Sequence, residues 1–200
     1  SALTAGSQFA SYFGGKDDRV RYDTPSIMGF TASASAIDNN SYDFGVAYNA
    51  VMGDLTYTVR GSMKHFDSGA PSEAYGVGAA VKHASGLSAS AHYGEESGTG
   101  AAAGDAADGI EGSAWGVEAG YTTTAINGLG ATSFEVIYVE SDEAIANDTE
   151  AELIAFHVDQ QMPAGVNVYA SYELAEFDDN NTATDLEDVS VFLIGTRLKF

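Results

Sequence analysis

The last twelve positions, Val189-Ser190-Val191-Phe192-Leu193-Ile194-Gly195-Thr196-Arg197-Leu198-Lys199-Phe200, constrain this chain most, because they read as one strand that runs unbroken to the final residue. On an extended backbone Phe192, Ile194, Thr196, Leu198 and Phe200 share one face, while Gly195, Arg197 and Lys199 share the other. At the edge of a soluble sheet such a strand sets a greasy row beside unpaired backbone groups and invites aggregation. A closed transmembrane barrel uses the same pattern safely, with the apolar face in lipid and the polar face toward a wet lumen.

The period of two recurs along the chain. Arg19 and Arg21 alternate with Val20 and Tyr22, and Phe30 to Ala36 alternates apolar and hydroxyl residues. Tyr42, Phe44, Val46 and Tyr48 follow, then Leu55, Tyr57, Val59 and Met63 against Thr56, Thr58, Arg60, Ser62 and Lys64. Similar rows begin at Tyr75, Leu87, Trp115, Phe134, Ile154 and Val166. The total is about eleven strands of roughly 6–13 residues, close to the ~10-residue alternating segments of membrane barrels. Aromatics recur at strand ends, where interface girdles need them. The prediction is an all-β chain, a transmembrane antiparallel β-barrel.

Composition narrows the function classes. A net charge of −21 with only 8 Lys+Arg argues against a nucleic-acid surface. With no cysteine there is no disulfide framework and no thiolate chemistry. Acidic chains are often disordered, but 44% hydrophobic content with 11 Tyr and 10 Phe opposes that here. No apolar run is long enough for a transmembrane helix. No basic-then-apolar leader opens the sequence, so a processed or absent start is expected.

With its terminal Phe200, the last strand resembles that of the Gram-negative outer-membrane porins, in which this strand is the assembly machinery's recognition signal. The resemblance implies that Phe192, Ile194, Leu198 and Phe200 serve barrel closure and assembly. It also places Phe200 on the periplasmic side. Connections read backwards from there alternate: 175–187 long and acidic outside, Gln161-Met162-Pro163-Ala164 tight inside, 140–148 long, 123–129 a turn, 95–112 longest, Ala84-Ser85-Gly86 tight, 65–72 longer, Met52-Gly53 tight. Long-outside, short-inside alternation is what transmembrane barrels show.

About eleven strands conflict with the even count of bacterial barrels and put residues 1–17 on the outer side. The resemblance supplies a resolution. Residues 1–15 look like the tail of the pore-inserted loop of the general porins, and Asp18-Arg19-Val20-Arg21-Tyr22-Asp23-Thr24-Pro25 looks like the strand after it, as found in alphaproteobacterial porins of the Rhodobacter type. Residues 1–200 would then be one barrel domain, with 1–17 the end of the inserted loop and 18–200 strands and loops. They form the C-terminal portion of a barrel of about sixteen strands.

With aromatic and aliphatic rows toward lipid, Arg19, Arg21, Arg60, Lys64, Lys82, Arg197 and Lys199 project into the lumen. A basic wall opposite acidic residues sets up a transverse field in which polar solutes align and apolar ones shed water at a cost. The candidate constriction is Arg19, Arg21, Arg60 and Lys64 with Asp17 and Asp18; the bland alternative is local pairing with Asp43, Glu118, Glu135 and Glu173. The expected function is passive diffusion of small hydrophilic solutes and ions across the bacterial outer membrane. Lipid, lipopolysaccharide and, by resemblance, two further copies in a homotrimer are the expected partners. A non-conducting outer-membrane barrel or a surface adhesive β protein is the alternative.

No enzyme is expected. His65, His83, His92 and His157 sit apart in sequence, with no HExxH pair, and no Gly-x-Ser-x-Gly elbow occurs. No cofactor is expected either. The acidic outer loops, among them Glu95-Glu96, 140–143 and Asp178-Asp179, are candidate Ca²⁺ ligands, with a solvated acidic rim as the plainer account.

Overall fold

The computed structural model describes residues 18–67, 72–98, 112–124, 126, 128–142, 149–179 and 188–198. They form eleven strands: β1 (Arg19–Asp23), β2 (Phe30–Ile37), β3 (Tyr42–Met52), β4 (Leu55–Phe66), β5 (Ser72–His83), β6 (Leu87–Gly98), β7 (Gly112–Thr123), β8 (Thr132–Asp142), β9 (Thr149–Gln161), β10 (Val166–Asp179) and β11 (Val189–Leu198). Each pairs antiparallel with its sequence neighbours in the order β1 to β11. Hairpin succession is the arrangement that short connections between alternating segments allow. Among the described residues no ladder joins β1 to β11, so both edges of the sheet stand open.

The connections fall at two ends. Residues 24–29, 53–54, 84–86, 128–131 and 162–165 turn at one end; 38–41 turn at the other, where β4, β6, β8 and β10 also end. Strands of about 11 residues, tilted as in a barrel, span about 25–28 Å, the height of an apolar outer-membrane band.

Exposure is inverted relative to a soluble sheet. Val117, Val136 and Phe156 are 44%, 45% and 48% exposed, and Ile194 reaches 68%. The buried apolar side chains, Ile37, Ala74, Ala114, Ala151 and Ala155, are mostly alanines. By register all five lie on the opposite face, with Arg19, Lys64 and Glu135. A polar face that is crowded and an apolar face that is open describe a sheet curled with its polar side inward. Among the described residues no second layer covers the apolar side, and lipid is the solvent that suits such a face.

Two girdles of rings mark that outward face. Phe30 and Tyr48 lie 4.4 Å apart and Tyr48 and Tyr57 5.9 Å apart toward the short-turn end. Toward the other end, Tyr42 stacks on His65 at 4.9 Å and Trp115 meets Tyr138 at 5.2 Å. Just beyond the upper girdle, Tyr75, Tyr93 and Tyr138 donate to Glu73, Glu95 and Glu140, which share their face two residues away.

Several strands run further than their sequence pattern. Glu95 and Glu96, Glu140 to Asp142, and Ala175 to Asp179, all expected in loops, are paired in β6, β8 and β10. Beyond the lipid both faces are wet, so the ladder continues on backbone hydrogen bonds without apolar alternation.

Candidate pore lining

Cross-strand partners point to the same side of a sheet, so the register fixes which side chains share the inward face. On β1 these are Arg19, Arg21 and Asp23, opposite Ile37, Ser35 and Ser33 of β2. Ser35 faces Asp43 of β3, which faces Lys64 of β4; Arg60 faces Ala47 and Gly78. Lys82 faces Thr56 and Ser88. The expected basic residues of β1, β4 and β5 therefore line one continuous wall.

The candidate constriction residues differ in how they are held. Arg21 Nε donates to both Asp23 carboxylate oxygens at 3.0 Å, and Nη2 donates to Oδ1 at 2.8 Å. Both side chains are about half exposed, 48% and 59%, so this fork positions the guanidinium more than it stabilises the fold. Arg19 Nη1 reaches across β2 to Asp43 Oδ2 at 3.5 Å. Lys64 is buried, with its ammonium 4.2 Å from the centre of the Phe66 ring. No described carboxylate pairs with Arg60, whose cross-strand partners Ala47 and Gly78 leave its guanidinium room. Asp18 is exposed, and its carbonyl accepts from the Asp38 amide at 3.0 Å. Asp23 pairs with Arg21 and Asp43 with Arg19; Asp17 lies outside the described residues.

The terminal strand keeps its expected outward row. Phe192, Ile194 and Leu198 are 70%, 68% and 64% exposed and face Tyr172, Ala170 and Val166. Phe200 and Lys199 lie outside the described residues. The other row of β11 is less polar than Gly195 and Arg197 imply, because Val189, Val191 and Leu193 share it. Tyr169 of β10 lies flat over Gly195.

The sequence reading names Glu118, Glu135 and Glu173 as acids for local pairing but does not bring them together with His157. On the inward face of β7 to β10, Glu118, Glu135, His157 and Glu173 form a lateral row. Glu135 and His157 are direct cross-strand partners, with Nδ1 3.4 Å from Oε2; Nε2 lies 3.5 Å from Glu173 Oε1. The four residues come from four strands, so no local motif announces them. One signal was available: between Lys82 and Arg197 the chain has no Lys or Arg at all. Among the described residues the inward wall is thus uneven: its lysines and arginines other than Arg197 lie on β1, β4 and β5 with Asp23 and Asp43 beside them, while β6 to β10 carry carboxylates and no Lys or Arg. Among the described residues no three His, Asp or Glu side chains converge to hold a metal ion, and this row is extended rather than convergent.

The sequence model of the Gram-negative porins matches residues 1–180. No curated protein sequence matches the chain. Among solved structures, the fold is similar to an anion-selective porin from Comamonas acidovorans, with 14% identity and a TM-score of 0.66 over 92% of this chain and 59% of that one. It is also similar to OmpT, expressed in the outer membrane of Vibrio cholerae, with 17% identity, a TM-score of 0.60, and coverage of 94% and 70%. A third is OccAB1 of Acinetobacter baumannii, with 12% identity, a TM-score of 0.62, and coverage of 94% and 60%. At such identities these likenesses concern the fold alone. This chain spans about three fifths of the Comamonas porin, 59% of its length. The chain belongs to the Gram-negative porin family, the β-barrels of the bacterial outer membrane.

Proposed function

We propose that this chain forms part of the wall of a passive channel through which small hydrophilic solutes and ions cross the outer membrane. The observation that carries it is the charged inward face: a membrane sheet whose lipid side is apolar devotes its other side to charge, much of it, as at Arg19, Arg21, Glu135 and Glu173, partly exposed. Charge held that way needs water beside it, and a water-filled lumen supplies it. Arg19, Arg21, Arg60 and Lys64, with Asp17 and Asp18, line the constriction in this reading, and Phe192, Ile194, Leu198 and Phe200 serve closure and assembly.

The open edges at β1 and β11 support a larger barrel, of about sixteen strands, in which these eleven are the C-terminal portion of a single domain. A Rhodobacter-type ancestry rests on the Asp18–Pro25 segment. Lipid and lipopolysaccharide contact the outward face, and three copies assemble, as in the trimer form of Vibrio cholerae OmpT. The channel has no catalytic residues.

The test is single-channel recording of the membrane-purified protein in a planar bilayer, with the intact mass measured on the same sample. Large stepwise conductance from a chain well above 20.8 kDa is the expected result. No conductance from a chain of 200 residues overturns the channel and leaves a closed barrel or an adhesive β protein.

A further inference from the structure

We infer that His157 is a selectivity-determining residue, a proton switch that sets the charge of the acidic sector of the inward wall. The inference rests on the channel reading above and adds to it which side chain tunes ion preference, and with what.

The geometry is that of an imidazole held between two carboxylates. Nδ1 faces Glu135 Oε2 at 3.4 Å and Nε2 faces Glu173 Oε1 at 3.5 Å. Nε2 is shielded from solvent and makes no hydrogen bond, although the side chain as a whole is 35% exposed. A neutral imidazole carries one N–H, so one of its nitrogens must turn a lone pair toward an anionic oxygen. The imidazolium carries two and satisfies both carboxylates at once. Proton uptake here therefore changes the wall's charge and ties β8, β9 and β10 together through one side chain.

The surroundings offer no competing cation. From β7 comes Glu118, and from β8 Glu135 with Ser133 and Ile137 beside it. From β10 come Glu173, Ser171 and Tyr169; on β9 itself Asp159 is occupied by the Asn167 amide at 2.6 Å. Arg197 faces Asn167 from β11, and His92 lies on β6, three strands from His157 and beside β7, over Gly116. Between Lys82 and Arg197 the chain's only side chains able to become cationic are His83, His92 and His157. Of these, His157 alone sits within the row of glutamates. Imidazole is the side chain whose charge changes between pH 5 and 8. Gain or loss of that one proton changes the net charge of the row Glu118, Glu135, His157 and Glu173 by one.

A unit charge about 7 Å from a passing ion in water alters its local concentration by about twofold, and salt screening keeps the effect near that size. The experiment is reversal potential under a KCl gradient for the full-length protein in a neutral phosphatidylcholine bilayer, at pH 8 and pH 5.5. The expected result is a cation-to-anion permeability ratio that falls about twofold on acidification in the wild type. His157→Gln keeps its pH 8 ratio at pH 5.5, while His92→Gln falls as the wild type does. Glu135→Gln/Glu173→Gln has a lowered ratio already at pH 8. A His157→Gln channel that retains the wild-type step, or a conducting wild type with no step, overturns the inference and leaves the channel intact. A wild type with no conductance at either pH overturns both. Should His157→Gln give no channels, His157→Asn carries the same comparison.

Discussion

Adjacent residues of a strand face opposite solvents, so the fold can be tested by moving one charge one position. Val136 and Ile137 are neighbours in the middle of β8. Val136 is 45% exposed on the outward face, between Ala119 and Phe156; Ile137 points inward, between Glu118 and Ala155. Val136 lies one residue from the centre of the strand, which puts it about 2–3 Å from the bilayer midplane for a tilted strand. An arginine there costs about 2–4 kcal/mol, falling to about 0–1 near the interfaces. Ile137→Arg instead projects into water beside Glu118 and costs under about 1 kcal/mol. The gap of about 2–3 kcal/mol is a ratio of about 30–150 in the folding equilibrium. Denaturant-dependent folding of the full-length protein into lipid vesicles measures it. Trp115, the chain's one tryptophan, is the reporter, since it is 39% exposed in the outward girdle. Equal costs at the two positions, or a larger one at Ile137, would refute the assignment of faces and with it the barrel.

Three further outcomes follow from local geometry. Gly86→Ala destabilises the β5–β6 turn by about 2–3 kcal/mol in the same folding assay, because φ is +97° and a Cβ collides with the Thr122 carbonyl; Gly53→Asn, at φ +59° with open space around it, stays within about 1 kcal/mol. Gly195→Ala displaces the Tyr169 ring and costs about 1–2 kcal/mol, and the cost shrinks in the Tyr169→Ala background, which a double-mutant cycle reads as coupling. In the proposed channel, Arg60→Gln raises the cation-to-anion permeability ratio by about twofold and Glu118→Gln lowers it about as much, both read from the reversal potential.

The strands were legible because lipid enforces a pattern that no packed core does. Leu55, Tyr57 and Val59 share one outward row and Thr56, Thr58 and Arg60 one inward row, so the period of two survives at nearly every position. The rims were less legible. Glu95, Glu140 and Asp178 continue their strands into water, where either face accepts charge and only the backbone ladder records the pairing. Register was not legible at all, since it depends on the span of each turn. Glu118, Glu135, His157 and Glu173 look like scattered polar positions until β7 to β10 are aligned.

What keeps the two charged sectors from collapsing into ion pairs is the strip between them. Across the ladder from Arg60 the inward positions run Gly78, His92, Gly116 and Val139, and the neighbouring rows carry Gly76, Gly94 and Gly120. Glycine has no side chain, so along this row the inward face of β5 to β7 carries only His92, while Lys82, Glu96 and Glu118 stand in other rows of the same strands. Arg60 on β4 and Glu118 on β7 stand three strand spacings apart, about 14 Å. That exceeds the Debye length of about 8 Å at physiological salt, so Arg60 and Glu118 interact weakly along the wall. In the proposed channel each acts on whatever passes within a few ångströms of it. Replacing Gly78 and Gly116 by lysine and glutamate would carry charge into the gap and let neighbours neutralise each other. The size of the residues on β5 to β7 is therefore as much a determinant of the field as the charges on either side.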